Sequence, residues 1–302
     1  MKILVTGANG LLGQKLVTLL QSQQDVELIA TGRGPNRNPE GGYAYLSADL
    51  QNFQGLKTFL QLSPPDVIIH CAAMTQVDEC EKNKNLCWDL NVKATENLIG
   101  IAKELKAFFL YVSTDFVFDG KEGPYKESDM PRPISHYGKS KVAAEDLLHK
   151  SQLKYAIVRT VLVYGVAHDP SRSNIVLWVK KNLEDGKPIK VVNDQWRTPT
   201  LAEDLAEGCW AITKSKKEGI FHISGEGMVS PLDIANNVAN FFELDPGLIT
   251  AVDASTFKEA AKRPPKTGFI IDKAKRELGF KPKSFMDGLA VVKEQLAKQG
   301  HK

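Results

Sequence analysis

The sequence predicts an α/β protein built on a doubly wound parallel sheet, and three observations carry that reading. Short apolar runs alternate with amphipathic stretches from the N-terminus to about residue 159. The runs are continuously apolar, not apolar at every second position, so both faces of the sheet must be covered, as in a parallel sheet wrapped by helices. A glycine-rich turn, Thr6-Gly7-Ala8-Asn9-Gly10-Leu11-Leu12-Gly13, stands between the first apolar run and the first amphipathic one.

Taken in order, the runs at 2–6, 26–31, 43–46, 66–71, 108–113 and 155–159 read as strands. The segments 11–21, 53–62, 87–105 and 136–151 read as the intervening helices. Beyond Arg159 the rhythm changes. Helical stretches at 174–184, 201–214, 232–242 and 285–297 are separated by loops rich in proline, glycine and charge. Residues 1–160 are therefore expected to form the sheet domain, with a return segment near 195–225. Residues 161–302 form mainly a smaller lobe over the open end of the sheet. No long linker parts the two, so they should share a cleft.

The bulk composition removes several function classes. With 39 basic and 36 acidic side chains, the formal net charge is only +3, too small and dispersed for a nucleic-acid binder. The densest basic stretch, Lys214 to Lys217, reads as a solvated helix end. Cys71, Cys80, Cys87 and Cys209 lack paired metal-ligand spacing. They suggest neither a disulfide framework nor an oxidising compartment, and Cys71, in an apolar run, is expected to be a small buried thiol. The first apolar run breaks at Gly7, too soon for a signal peptide or a membrane span. A cytoplasmic protein with no membrane association is the expectation.

The turn at 6–13 has the form of a Rossmann-type dinucleotide loop. Gly7 permits the sharp turn, Gly10 lets the backbone approach a pyrophosphate, and Gly13 lets the helix pack closely. The helix N-terminus adds free amides and a favourable dipole. After the second strand the chain reads Ile29-Ala30-Thr31-Gly32-Arg33, with no carboxylate for a ribose 2′-hydroxyl. A guanidinium suits a 2′-phosphate, so NADP (NADPH) is favoured with NAD left open; a plain surface arginine is the alternative for Arg33. Asp49 sits where an adenine amino group could be held, or else caps the region of the helix at 53.

Tyr137-Gly138-Lys139-Ser140-Lys141 places Tyr137 and Lys141 on one helix face. A phenol with a pKa near 10 is a poor acid–base group at neutral pH, and a nearby ammonium would favour the phenolate and reach a cofactor ribose. Ser113-Thr114-Asp115 ends the preceding strand, at the same cleft by topology. Thr114 could hydrogen-bond a substrate oxygen while Tyr137 exchanges the proton; a strand-end turn is the plainer role for Ser113 and Thr114.

These residues together resemble the extended short-chain dehydrogenase/reductases, and within them the dTDP-4-dehydrorhamnose reductase family. The resemblance runs over essentially the whole chain, through TGANGLLG at 6–13, DVIIHCAAMTQVDECE at 66–81, LNVKATENL at 90–98, STDFVFDG at 113–120, YGKSK at 137–141, VRTVLVYG at 158–165, DQWRTPT at 194–200 and RPPKTG at 263–268. It implies Thr114, Tyr137 and Lys141 as the catalytic set. It places Gly7, Asn9, Gly10, Leu12, Gly13, Arg33, Asp49, Leu50, Ala72, Ala73, Thr75 and Asn91 near the cofactor. It turns Val77, Asp78, Asp115, Phe116, Val117, Asn174, Arg197 and Arg263 toward a nucleotide-sugar substrate. Phe116 and Val117 could instead be core, and Arg197 could be solvated. Arg263, stiffened by Pro264 and Pro265, is the expected diphosphate anchor, with a loop arginine lying along apolar surface as the alternative.

Two departures stand out. The best-known reductases usually carry glycine where this chain has Arg197. Some members also bind a divalent metal between subunits through a carboxylate at the start of the first helix, where this chain reads Gln14-Lys15, so no metal is expected. A homodimer is left open. The implied activity is NADPH-dependent reduction of the 4-keto group of a nucleotide-linked 6-deoxy sugar, as in dTDP-rhamnose biosynthesis. A nucleotide-sugar epimerase or dehydratase, and a non-catalytic regulatory subunit resembling that of methionine adenosyltransferase, are the competing readings.

Overall fold

A computed structural model describes residues 1–38, 41–168 and 173–300. The N-terminal part runs β1 (Lys2–Thr6), α1 (Leu11–Gln21), β2 (Glu27–Gly32), β3 (Ala44–Ser47), α2 (Phe53–Leu62), β4 (Val67–His70), α3 (Val77–Lys82), α4 (Lys84–Trp88), α5 (Ala94–Leu105), β5 (Phe108–Thr114), α6 (His136–His149) and β6 (Tyr155–Thr160). The remainder runs β7 (Val163–Tyr164), α7 (Ile175–Glu184), β8 (Ile189–Val192), β9 (Thr200–Leu201), α8 (Ala202–Ser215), β10 (Gly219–His222), α9 (Pro231–Phe242), β11 (Ile249–Val252), α10 (Asp272–Leu278) and α11 (Phe285–Gly300).

Seven parallel strands form the main sheet in the order β10-β6-β5-β4-β1-β2-β3. Its strands alternate their side chains between two cores. Ile3, Val5, Val67, Ile69, Leu110 and Val158 join a cluster that includes Leu16, Leu205 and Ile212 from α1 and α8. Leu4, Ile68, Phe109, Tyr111 and Ile157 join the opposite cluster, with Leu56, Leu98 and Leu148 from α2, α5 and α6. This is why the strands read as unbroken apolar runs: each neighbouring pair of residues feeds a different core. A third core lies in the C-terminal half, where α7, α9 and α11 pack with the two-stranded sheet β8–β11.

The chain order reverses between β1 and β4, which lie side by side in the sheet. In open α/β sheets a crevice forms at that point, beyond the carboxyl ends of the strands. Thr6, His70 and Thr114 all stand at those ends.

The structure differs from the sequence reading in several places. The helix expected over 87–105 is α4, a π-helical turn at Asp89–Lys93 and then α5. A 3.6-residue period cannot register one inserted residue, and π turns concentrate at functional sites. The short α3 and α10 and strands β7 to β11 lie below the length at which periodicity discriminates. Cys71 is half-buried, not enclosed, while Cys80, Cys87 and Cys209 are buried; all four are free thiols. Among the described residues no helix is long and apolar enough to cross a membrane.

One buried ion pair lies behind the crevice. Arg159 of β6 meets Glu145 of α6 through Nε at 3.1 Å and Nη2 at 2.6 Å, with both side chains only 2% exposed. Glu145 also accepts the Ser113 hydroxyl at 2.5 Å. Removing one partner would leave a buried charge alone. Arg159→Met should therefore lower stability by about 3–5 kcal/mol, and adding Glu145→Met should recover part of that loss in urea titrations. Losses that simply add would mean that the pair is not coupled.

Candidate active site

The glycine turn is held in shape by steric exclusion. Gly7 has φ +71°, and a Cβ there would lie 2.7 Å from the Ala72 nitrogen, so β1 and β4 can end this close together only around a glycine. A Cβ on Gly13 would lie 2.2 Å from the Gly7 carbonyl oxygen, so the first turn of α1 presses on the loop itself. Gly10 is the N-cap of α1; no side chain caps this end and its first turn carries no acidic residue. The turn thus presents amides and a positive dipole end to the crevice, which fits a dinucleotide phosphate.

Asn9 ties this turn to the loop after β2. Its amide nitrogen donates to the carbonyls of Arg33 (3.1 Å) and Pro35 (2.9 Å) and to the Tyr45 hydroxyl (2.9 Å), and its oxygen accepts the Arg37 amide at 3.0 Å. Arg33 is exposed on the loop so held. Asp49 is exposed and accepts the Gln51 amide at 3.0 Å; the cap position of α2 belongs to Asn52. Leu12, Leu50, Ala72 and Ala73 are half-buried along the same rim, and Thr75 is exposed.

Beneath the rim, buried His70 links two elements. Thr95 donates to the Asn91 carbonyl at 2.7 Å, so it can accept from His70 Nε2–H at 3.1 Å. That leaves His70 Nδ1 to accept from the Thr6 hydroxyl at 2.7 Å. Burial and the Lys141 charge push its pKa down to about 3, so the ring is neutral at any physiological pH. Asn91, in the π turn, gives its own amide to the Met74 carbonyl (3.1 Å) and to Ser140 (3.0 Å), and accepts the Met74 amide (2.8 Å). It therefore shapes the loop after β4.

Tyr137 and Lys141 stand on α6, whose start is fixed by Ser135: its hydroxyl accepts the Gly138 amide at 3.1 Å. Gly138 decides how near this helix comes, because a Cβ there would lie 2.1 Å from the Phe116 carbonyl oxygen. The Tyr137 ring packs edge-on to Phe116, with centroids 5.8 Å apart. Burial raises the Tyr137 pKa, while the Thr114 hydroxyl pulls it the other way. Lys141 is buried, donates to the Val112 carbonyl at 2.7 Å and lies 4.1 Å above the Tyr111 ring. Burial lowers its pKa to about 8, against the opposing pull of Glu145, so it is largely an ammonium at neutral pH. The expected lowering of the tyrosine by this lysine is not what dominates: the ammonium is engaged with the β5 backbone, and desolvation of the phenol wins.

Thr114 donates to Asp115 Oδ1 at 3.0 Å and accepts the Phe116 amide at 3.3 Å. Around this point three motifs distant in sequence converge. Trp196 donates its amide to the Pro265 carbonyl (2.7 Å), and Lys266 donates its amide to that of Gly120 (3.1 Å). Gly120 has φ +79° and no room for a Cβ, which would lie 2.7 Å from Pro264 and Pro265. Thr267 donates its hydroxyl to Asp115 Oδ2.

Several residues expected to face a substrate are engaged with the protein itself. Arg197 is 5% exposed, not solvated, because four carbonyl or amide oxygens and Asp115 surround its guanidinium. Asn174 caps α7, accepting the Leu177 amide at 3.3 Å and donating to the Gly165 carbonyl at 2.7 Å. Arg263 meets Asp78 at 2.7 Å and pairs with Glu259, while Asp78 also accepts the Ala261 amide at 3.0 Å. Two expected substrate contacts therefore strap the 259–263 segment to the start of α3. Val117 is core and Phe116 and Val77 line a small cluster with Tyr137. At the start of α1, Lys15 lies 2.9 Å from Glu203 and 3.1 Å from the Gln295 oxygen, so an ammonium already neutralises that carboxylate.

The family described as the RmlD substrate binding domain matches residues 1–298. The chain belongs to the dTDP-4-dehydrorhamnose reductase family. A reductase of that family from Clostridium acetobutylicum is 31% identical, with a TM-score of 0.87 over 98% of this chain and 100% of that one. The Bacillus anthracis reductase, whose structure is a complex with NADP, is 29% identical, with a TM-score of 0.85 over 97% and 99%. Methionine adenosyltransferase 2 subunit beta of Xenopus laevis is 32% identical over 248 residues, 80% of this chain and 72% of that one. The family is one of nicotinamide-dependent sugar-nucleotide oxidoreductases.

Sequence reasoning missed Glu145, Arg159, His70, Ser140, Gly138 and Thr267. Glu145 had a signal, since it follows Lys141 by one helical turn; Gly138 lay inside the YGKSK motif, but its neighbour Phe116 is remote in sequence. The Gly138 contact is testable. Alanine ordinarily improves a helix interior by about 1 kcal/mol over glycine, whereas Gly138→Ala should destabilise by roughly 1–3 kcal/mol through overpacking. Unchanged or greater stability in denaturant titrations would show that the contact does not limit the approach of α6.

Proposed function

We propose that the protein reduces the 4-keto group of a 6-deoxy sugar carried on dTDP, with NADPH as electron donor. The observation that carries this reading is the meeting of Thr114, Tyr137 and Lys141 at the end of β5, in a crevice whose other wall is the uncapped glycine turn. The cradle around Gly7, Gly10 and Gly13 fits a dinucleotide, and the chain's own groups supply the rest of its binding. Arg33 would meet the 2′-phosphate, Asp49 and Leu50 the adenine, and Ala72, Ala73 and Thr75 the middle of the cofactor. Asn91 acts by holding the Met74 loop. When bound there, the nicotinamide supplies a hydride to the sugar carbon.

Tyr137 then gives its proton to the carbonyl oxygen as negative charge develops, and a buried phenol held mostly protonated is suited to that direction. Thr114 would orient the same oxygen by turning to it the hydroxyl that donates to Asp115 in the resting structure. Lys141 keeps two donors beyond the one given to Val112, enough to bind a ribose hydroxyl and to return a proton toward Tyr137. The carbonyl oxygen gains the proton, the carbon gains the hydride, and a hydroxyl results.

A regulatory, non-catalytic role is the second reading, favoured by the similarity to the methionine adenosyltransferase subunit. Recovery of a stoichiometric protein partner, without NADPH consumption on any keto sugar nucleotide, would establish it in place of the first.

Two measurements test the reductase reading. NADPH oxidation should be seen on a panel of nucleotide-linked 4-keto sugars, and Tyr137→Phe should cut turnover by on the order of 10²-fold or more while NADPH binding survives. Normal turnover of Tyr137→Phe would remove it as the proton donor. NADPH should bind more tightly than NADH by about 1–2 kcal/mol if one charge-assisted contact is gained. Arg33→Asp should reverse that order, and equal affinities in the unaltered protein would refute the role given to Arg33.

A further inference from the structure

Arg197 stands where the best-known reductases of the family usually have glycine, and its bonding answers what it is for. A guanidinium has five N–H donors. In this chain Nη1 donates to the carbonyls of Trp196 (2.8 Å) and Pro265 (3.1 Å). Nη2 donates to the Pro264 carbonyl (2.7 Å) and to Gln195 Oε1 (3.3 Å). Nε, the remaining donor, faces Asp115 Oδ2 at 3.7 Å. Four of the five donors are bonded inside the protein, the fifth lies beside Asp115 beyond hydrogen-bonding distance, and the side chain is only 5% exposed. No outward-facing fork is left with which to grip a phosphate.

Asp115 is equally enclosed. Its Oδ1 accepts the Thr114 hydroxyl and its Oδ2 the Thr267 hydroxyl. The groups that face it are Thr114 on its own segment, Tyr137 from α6, Thr267 from the 263–268 loop and Arg197 from the 194–200 segment, with Arg263 repelling Arg197 from farther out. Arg197 is the only cation in direct reach of this carboxylate among the described residues. A bare buried carboxylate here would do two things to a ketone reduction. It would hold the Thr114 proton away from the substrate oxygen, and it would repel the negative charge that develops on that oxygen.

Resting on the reductase reading above, we propose that Arg197 is a positioning residue for the reduction: it offsets the Asp115 charge, which weakens that carboxylate's hold on the Thr114 hydroxyl and its repulsion of the developing oxyanion, and it clamps the Pro264–Pro265 turn beside it. It does not touch the substrate. Burial already draws the Asp115 carboxyl upward while Arg197 draws it down, so loss of the guanidinium moves Asp115 protonation to higher pH.

The test is a double-mutant cycle on the full chain with R197M, D115N and R197M/D115N, adding R197K to keep the charge without the fork. R197M should lose on the order of 10²-fold in kcat, with KM for the keto sugar nucleotide changed less than about threefold. Its kcat should partly recover as pH falls through the raised Asp115 titration, because protonation there removes the uncompensated charge. The double variant should recover part of the R197M loss in kcat and in Tm, because it buries no uncompensated charge. R197K should show no such recovery at low pH even though its Tm falls. A raised KM with unchanged kcat in R197M, and weakened binding of free dTDP, would overturn the proposal in favour of direct substrate contact. Additive losses in the double variant would overturn it as well. If the unaltered protein reduces no keto sugar nucleotide, the reductase reading fails by itself. The charge cancellation is then judged on Tm alone, where a double variant no more stable than R197M sinks it.

Discussion

A parallel sheet covered on both faces has one place where polar chemistry can meet water, the edge beyond its strand ends. Both faces of this sheet are filled by apolar side chains from helices, so the groups that β1, β4 and β5 can offer a ligand come from Thr6 and Gly7, from His70 to Ala73, and from Thr114 and the residues just beyond it. The reversal of strand order between β1 and β4 opens the crevice at that edge. Glycines at 7, 13, 120 and 138 let backbones approach there to distances that any side chain would forbid. Each removes a Cβ from a point where two segments distant in sequence, or a loop and its own helix, must touch.

Because the edge is narrow, the charges that serve it are buried with it, and each is balanced by a specific neighbour. Lys141 is flanked by Glu145, which is in turn paired with Arg159 behind the sheet. Asp115 is balanced by Arg197 and by two hydroxyl donors. His70 avoids the problem by remaining neutral between two threonines. Buried pairs of this kind contribute little net stability, but leaving one partner alone is costly. Their value here is geometric: they fix the ends of β5, β6 and α6 relative to one another.

The lobe adds a second kind of constraint. The segments 194–200 and 263–268 are bound to each other through backbone bonds and the Arg197 fork, and Asp78 ties the approach to Arg263 onto α3. The crevice is thus walled on its open side by a loop whose polar groups are largely satisfied from within. Side chains that a motif comparison would assign to a ligand, such as Asn174 and Arg197, instead hold the wall in place.

The six strands and the long helices of the first half were legible in the sequence, because a covered parallel strand and an amphipathic helix write their burial into local residue order. So was the glycine turn, whose place between β1 and α1 is written in adjacent residues. The pairing of Thr114 with Tyr137 could be anticipated from topology. What the sequence by itself could not determine was partnership. Whether Arg197 faces solvent, substrate or Asp115 depends on where residues 115 and 264–265 come to lie, and no local pattern records that. The same holds for Gly138 against Phe116 and for Arg159 against Glu145: each contact joins segments brought together only when the sheet closes, and burial then favours partnership for the charges and hydroxyls enclosed there.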